Sequence, residues 1–288
     1  MGEAIKASSS SALQTKIDDY RVKIDKAIST ELEHHKDSVF FAPIKRALKG
    51  GKRLRPILLI LSFESTNSRD CDPFPAAVAV EFTHLESLIH DDIIDMDSVR
   101  RERPAFHALH GYEMALLSAD FILSMILDIT ARHNIPRISQ TLAETTSSMC
   151  EGELEELRTY KKRKALSTQE YIDVVSKKTA SLFEASAVIG AIIGGASKEE
   201  VKALANYGKS LGIAYQIQDD IKDLEKTTTV NIVNLLVAGS EKIEHLQEMS
   251  NSYVLEAKRS LRKLKASEAK SLLFEFADHV VSSSIERI

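Results

Sequence analysis

The sequence predicts an all-α protein, a single bundle of about ten helices, and three observations predict it. Chain breakers are scarce: 11 Gly and 6 Pro in 288 residues, about 4% and 2% against the usual ~7% and ~5%. The rest of the chain is rich in Ala, Leu, Ile, Glu and Lys, which favour helix. Apolar residues recur at three- and four-residue intervals over most of its length. No repeat of solenoid period is present, and the connections between periodic stretches are short. Residues 1–12 are small and polar and read as a flexible start. Residues 13–288 read as one domain, long enough to bury a sizeable core.

The elements follow in order. Leu13, Ile17, Tyr20, Ile24, Ile28 and Leu32 mark a helical stretch that runs on to Leu48 and stops at Gly50-Gly51. Pro56 sits just inside the next apolar run, Pro56–Phe63, where a helix start tolerates proline. Asn67–Phe74 reads as a loop and Ala76–Asp95 as a helix. Arg100–Pro104 is charged and ends in proline, a loop or break. Tyr112–Arg132 and Ile138–Tyr160 are helical patterns separated near Pro136. A further helix opens at Thr168 and reaches Gly194-Gly195. Ser197 with Glu200 forms a capping-box signal for a helix to about Leu224. Thr227–Val230 is β-branched and breaks the pattern. Ile232–Val237 and Ile243–Ile285 are the last helical stretches, the second in one or two pieces.

Composition excludes several functions. A net charge of −4 argues against general nucleic-acid binding, which needs a basic face. No uninterrupted apolar run reaches the ~18–20 residues of a membrane span. The serine run Ser8–Ser11 comes with no apolar core of a secretory signal. Two cysteines, Cys71 and Cys150, make no disulfide scaffold. A cytoplasmic protein is expected.

Chemistry concentrates in two acidic clusters, Asp91-Asp92-Ile93-Ile94-Asp95 and Asp219-Asp220-Ile221-Lys222-Asp223. Each carries carboxylates at i, i+1 and i+4, and i and i+4 share one helix face. Each ends an otherwise apolar segment. A lone acidic triplet is as readily a solvated helix end; two with identical spacing are not. Carboxylates this close repel one another unless a cation joins them. Mg²⁺, which takes carboxylate, phosphate and water oxygens, suits them. Mg²⁺ on carboxylates implies a phosphate ester, and basic residues agree: Lys52, Arg53 and Arg55 after Gly50-Gly51, Arg100-Arg101, Lys177-Lys178, and Lys222 with Lys226. Together they offer two carboxylate sites and several bare cation sites, room for two diphosphates bound differently.

The ordered set Gly50-Gly51-Lys52-Arg53-Leu54-Arg55-Pro56, His84 with Asp91–Asp95, Arg100-Arg101, Lys178-Thr179 and Gln216 with Asp219–Asp223 resembles the trans-isoprenyl diphosphate synthases, the polyprenyl synthetase family. The resemblance runs from about residue 40 to about residue 240. It implies an all-α fold around a deep central cavity and elongation of an allylic diphosphate by isopentenyl diphosphate. It further implies two or three Mg²⁺ ions bound with the allylic diphosphate, and a homodimer. Asp91, Asp95, Asp219 and Asp223 are then expected at the metal, with Asp92 and Asp220 supporting catalysis. Arg100, Lys178, Thr179, Gln216 and Lys226 are expected at the allylic diphosphate, and Lys178 and Gln216 also near the carbocation. Lys52, Arg55, His84 and Arg101 are expected to hold isopentenyl diphosphate without metal, because its diphosphate does not leave.

Two departures from the family pattern stand out. The Gly- and Lys-rich loop that usually follows the second cluster is missing, so Leu224-Glu225 leads straight to Lys226-Thr227. Glu86, five residues before Asp91, stands where makers of short products often carry an aromatic. An unpaired carboxylate against a hydrocarbon tail costs several kcal/mol, so Glu86 is expected either to turn toward a polar partner or to sit beside the tunnel wall. The floor of the product tunnel is then expected lower, at Phe82, Met114, Leu117 or Phe121, which favours a geranylgeranyl product. Two alternatives are weighed. A catalytically weak or silent subunit modulating a partner synthase usually loses aspartates from one cluster; all six are here. A terpene cyclase lacks the basic site for a second diphosphate.

Overall fold

The computed structural model describes residues 2–66, 70–100, 103–162, 166–226 and 242–285, with side chains over 13–66, 70–100, 103–162, 166–224 and 243–282. The helices are α1 Gly2–Glu33, α2 Phe41–Ala47, α3 Leu54–Thr66, α4 Phe74–Ile94, α5 Phe106–His110, α6 Tyr112–Arg132, α7 Pro136–Lys162, α8 Thr168–Val175, α9 Ser181–Gly194, α10 Lys198–Lys226, α11 Lys242–Ser260 and α12 Glu268–Ile285. The all-α expectation holds. The expected flexible start falls on residues whose side chains lie outside the description, and Thr227–Val230 and Ile232–Val237 also lie outside the described residues.

Local chemistry explains where elements differ from the periodic pattern. The stretch Leu13–Leu48 is two helices, α1 and α2, joined by turns in which the His35 N–H donates to Leu32 O at 2.8 Å. The break at Arg100–Pro104 holds a two-residue antiparallel pair, β1 Val99–Arg100 against β2 Arg103–Pro104, with Val99 opposite Pro104. The helix expected from Thr168 to Gly194 is interrupted by a π turn, Ser176–Ala180, between α8 and α9. Such turns add a residue to the helix and re-aim the side chains within it. The predicted capping box at Ser197 is present, with the Ser197 N–H donating to Glu200 Oε2 at 2.9 Å. A second box, Ser167 with Glu170, opens α8. Gly195 ends α9 in the left-handed region, φ 78°, as a glycine after a helix does at no steric cost.

By its internal contacts the chain forms two compact units. One comprises Gln14–Ile57 and Asp72–Gln140. In it α4 packs on α6: Val78, Phe82 and Ile89 are buried, as are Ala115, Ala119, Ile122, Met125 and Ile129 at helical spacing. The predicted row on α1 is buried throughout, and Arg132 at the end of α6 donates to Glu31 of α1 at 2.6 Å. Among the described residues one helix, α6, is long and apolar enough to cross a membrane, and 44% of that stretch is buried within the protein. Ser118, Asp120, Ser124 and Asp128 break its run in sequence. Its average hydropathy stays high because one face is core.

The other unit comprises Met1–Leu13, Leu58–Cys71 and Thr141–Ile288. Here α10 is the central helix, packed against α9, α11 and α12. Buried polar groups are tied across helices, Tyr207 OH donating to Leu273 O at 2.6 Å and Ser250 Oγ to Ala214 O at 3.2 Å. Glycines permit the closest approaches. A Cβ on Gly212 of α10 lies 2.6 Å from Ala180 Cα, and one on Gly190 of α9 runs into the Leu59 carbonyl and lies 3.0 Å from Phe63 N. Both obstacles are backbone and cannot step aside. Gly190→Ala is therefore expected to destabilise the protein by about 2–4 kcal/mol despite the better helix propensity of alanine. Urea denaturation of the two proteins checks this.

Candidate active site

The first acidic cluster closes α4. Asp95 caps the helix, its N–H donating to Asp91 O at 2.8 Å. The Asp97 N–H reaches back to Asp92 O at 3.0 Å, and Met96 between them is left-handed, φ 58°. This is a Schellman ending with methionine where glycine is usual, and it falls where the sequence pattern ends the helix, at Asp95. The carboxylates thus gather at the negative end of the helix dipole, each placed there at a cost of about 0.3–1 kcal/mol in the absence of a cation. Asp92 points inward, is buried, and accepts from Arg100 Nε at 2.5 Å. Burial pushes its carboxyl above the usual range, against the pull of Arg100. Asp91 is half-buried and Asp95 exposed.

The second cluster lies in the last two turns of α10, and its middle aspartate behaves alike. Asp220 is buried, and both its oxygens are engaged: Oδ2 by the Tyr171 hydroxyl at 2.5 Å and Oδ1 by Gln216 Nε2 at 3.0 Å. The Thr179 hydroxyl donates to Gln216 Oε1 at 2.8 Å, which fixes the amide orientation. Burial raises the Asp220 carboxyl to about 7, although both hydrogen bonds favour its charged form. Burial, with Asp220 alongside, holds the Tyr171 phenol well above its ordinary value. Asp219 is exposed, with Lys222 Nζ 4.0 Å away, and Asp223 is half-buried.

The π turn brings Lys178 and Thr179 to this unit's site. Lys178 is ion-paired with Glu153, at 2.6 Å, and with Glu156, both on α7, while Lys177 pairs with Glu155 at 2.5 Å. These lysines are thus not the bare cations their sequence context suggests. α7 comes this close because Gly152 has no side chain: a Cβ there lies 2.6 Å from Lys178 N. A glycine inside a helix costs ~1 kcal/mol against alanine, and here it permits the close approach that sets Glu153 and Glu156 beside Lys178. Tyr171 gave no signal in the sequence, since a buried tyrosine on an apolar helix face reads as core.

In the other unit, Lys52, just before α3, and Arg55, in its first turn, are half-buried, and Arg55 Nη1 lies 3.2 Å from His84 Nε2 on α4. A guanidinium only donates, so in this pairing Nε2 accepts. Arg53, the third cation of the run, turns inward. Arg101 and the Lys226 side chain, both expected at diphosphates, lie outside the described residues.

Glu86 is buried on α4, and the charge facing it is Asp120 of α6. That neighbour is a like charge rather than a polar partner: burial first, then Asp120, raise Glu86 from an ordinary 4.5 to about 7. Thr83 and Ser87 bond backbone carbonyls of their own helix. Phe82 is fully buried, Leu117 is exposed, and Phe121 stacks on Phe40 at 4.8 Å.

Magnesium fits the outer aspartates. Among the described residues no three acid, His or Cys side chains converge as a ready-made metal cage. Each cluster instead presents an outer pair one turn apart, and Mg²⁺ is usually held by one or two carboxylates with phosphate and water completing its shell.

Hard-oxygen pairs on helix ends, with arginine and lysine nearby, suit a helical enzyme acting on diphosphate esters, and comparison with known proteins narrows that class to the trans-prenyltransferases. The chain belongs to the polyprenyl synthetase family, whose model matches residues 37–231. It is 33% identical over 279 residues to a geranylgeranyl diphosphate synthase of Methanosarcina mazei, covering 81% of this chain and 86% of the relative. It is 32% identical over 250 residues to that organism's geranylfarnesyl diphosphate synthase, covering 83% and 84%. The crystal structure of geranylgeranyl pyrophosphate synthetase from Pyrococcus horikoshii superposes with a TM-score of 0.85 at 28% identity, over 97% of this chain and 100% of that one.

The raised Glu86 carboxyl sets a pH dependence. The group takes up a proton on folding, so its contribution is fully present below about pH 4.5 and is lost as pH rises through about 7. Glu86→Gln, which mimics the protonated form, is expected to stabilise the protein by about 1–3 kcal/mol at pH 8 and negligibly near pH 4.5. Urea midpoints at the two pH values measure the difference.

Proposed function

We propose that this protein condenses isopentenyl diphosphate with allylic diphosphates, with Mg²⁺, to a linear trans-polyprenyl diphosphate, chiefly geranylgeranyl diphosphate. The observation that carries the reading is the shared construction of the two clusters. In each the middle aspartate is buried and tied to a partner, while the outer two, one turn apart, reach solvent.

Asp91 with Asp95, and Asp219 with Asp223, would hold the metal. Two or three Mg²⁺ ions bound with the allylic diphosphate supply the positive charge that stabilises the departing diphosphate. Arg100, Lys178, Thr179, Gln216 and Lys226 orient that diphosphate. Lys52, Arg55, His84 and Arg101 grip the other by charge-assisted hydrogen bonds. The allylic C–O bond breaks, with its electron pair leaving on the diphosphate. The double bond of isopentenyl diphosphate then supplies the electrons of the new C–C bond, and a proton is lost to the released diphosphate. Asp92 and Asp220 act by fixing the turns that carry their neighbours.

The family match takes in residues of both units, which supports reading 13–288 as one synthase domain. The absence of an aromatic ring at position 86 supports a product longer than farnesyl, and relatives named for geranylgeranyl and geranylfarnesyl products agree. A cytoplasmic homodimer is part of the proposal. Tyr112, Leu116, Leu123 and Leu127 form an exposed stripe along α6, an apolar surface that a second copy would cover.

Purified protein given labelled isopentenyl diphosphate, an allylic primer and Mg²⁺ is expected to form chain-extended product, with a twenty-carbon alcohol dominant after dephosphorylation. EDTA abolishes this, and Asp91→Ala lowers turnover at least 100-fold, about 3 kcal/mol of lost leaving-group stabilisation. No extended product with any short primer overturns the assignment. Light scattering is expected to give twice the 32.0 kDa chain mass, and Leu116→Glu with Leu127→Glu is expected to halve it. A monomer in the unaltered protein removes the dimer.

A further inference from the structure

The run Lys52-Arg53-Leu54-Arg55 places three cations within four residues, and the middle one does not face outward with the others. Arg53 is buried to 6% exposure and sits in the left-handed region, φ 57°, a conformation that non-glycine residues rarely adopt. Its guanidinium is held at three of its nitrogens. Nη1 donates to Glu81 Oε1 of α4 at 2.6 Å, Nε to Asp25 Oδ1 of α1 at 2.9 Å, and Nη2 to the Leu48 carbonyl after α2 at 2.5 Å. One side chain thus joins three helices under a single segment. Burial alone disfavours its charge, and Glu81 and Asp25 more than offset this, so the group is held above its ordinary pKa. Gly51 completes the arrangement, since a Cβ there lies 2.6 Å from Arg53 Nη1 and 3.3 Å from Glu81 Oε1.

We propose that Arg53 is a positioning residue for isopentenyl diphosphate: its buried pair with Glu81 locks Gly51–Arg55, the segment that leads into α3, to α4 and so sets Lys52 and Arg55 in register with His84. This rests on the assignment of those three residues to isopentenyl diphosphate made above. The geometry supplies the link. Glu81 precedes His84 by three residues on the same helix, so the anchor of the segment and the histidine that meets Arg55 lie on adjacent positions of one face. Lys52 directly precedes the locked residue, and Arg55 follows it across Leu54. A segment held in a strained conformation by a buried fork of hydrogen bonds gives both cations one position each, which is what recognition of a diphosphate by side chains alone requires. A lysine cannot replace this arginine, because an ammonium lacks the planar fork that reaches Glu81, Asp25 and Leu48 together.

The test is steady-state kinetics with both substrates varied, on Lys52→Ala, Arg53→Lys, Glu81→Gln and Gly51→Ala. Thermal melts establish which variants are folded at the assay temperature. Lys52→Ala tests the underlying assignment: if it leaves the KM for isopentenyl diphosphate unmoved, that assignment fails whatever the others do. With it standing, folded Arg53→Lys or Glu81→Gln is expected to raise that KM about tenfold, with kcat and the allylic KM within twofold. Gly51→Ala pushes on the guanidinium without leaving a buried charge, so it serves where the charge variants do not fold, and the same one-sided rise is expected. An unchanged KM for isopentenyl diphosphate in any folded variant of the three overturns the proposal. So does a change of kcat and both KM values together, which marks a merely structural role.

Discussion

Carboxylates crowded at the ends of helices repel one another, and that repulsion is the constraint on which the rest of this structure depends. Asp91, Asp92 and Asp95 sit where the dipole of α4 is negative, and Asp219, Asp220 and Asp223 occupy the last two turns of α10. Both clusters meet it in the same way. The middle aspartate turns into the protein, where Asp92 meets Arg100 and Asp220 meets Tyr171 and Gln216. The outer pair is left one turn apart with access to solvent, a geometry that suits a hard divalent cation.

Three other ionisable groups, Arg53 and Glu86 buried and Lys178 half-buried, are handled by three different means. Arg53 keeps its charge because two carboxylates and a carbonyl surround it. Lys178 is ion-paired with Glu153 and Glu156. Glu86 faces another acid and takes up a proton instead. The difference follows from what each neighbouring helix presents: opposite charge makes ionisation cheap, and like charge with desolvation makes the neutral form cheaper.

Much of the fold was legible in the sequence because period and punctuation agree. The buried row on α1 was readable from Ile17 to Leu32, the stop at Gly195 from its glycine, and the start of α10 from Ser197 and Glu200. The end of α4 was readable too, at Asp95 against a last helical residue Ile94, although Met96 stands where a glycine is usual. The π turn at Ser176–Ala180 was hidden, since an apolar stretch of uniform composition gives no sign of one extra residue.

The sequence by itself determined the helical class, the family, and which residue types stand at which spacing, since all of these are local or depend on order along the chain. Tertiary structure alone decided which members of each motif face solvent and which face the core. Three cations within four residues read alike until packing turns Arg53 toward Glu81, a residue 28 positions away. Asp219 and Asp220 are neighbours of the same chemistry until Tyr171, 49 positions away, claims one of them. The reason is physical: an ionisable group's state depends on its desolvation and on the charges beside it in space. Helix packing sets both, and residue spacing along one helix does not.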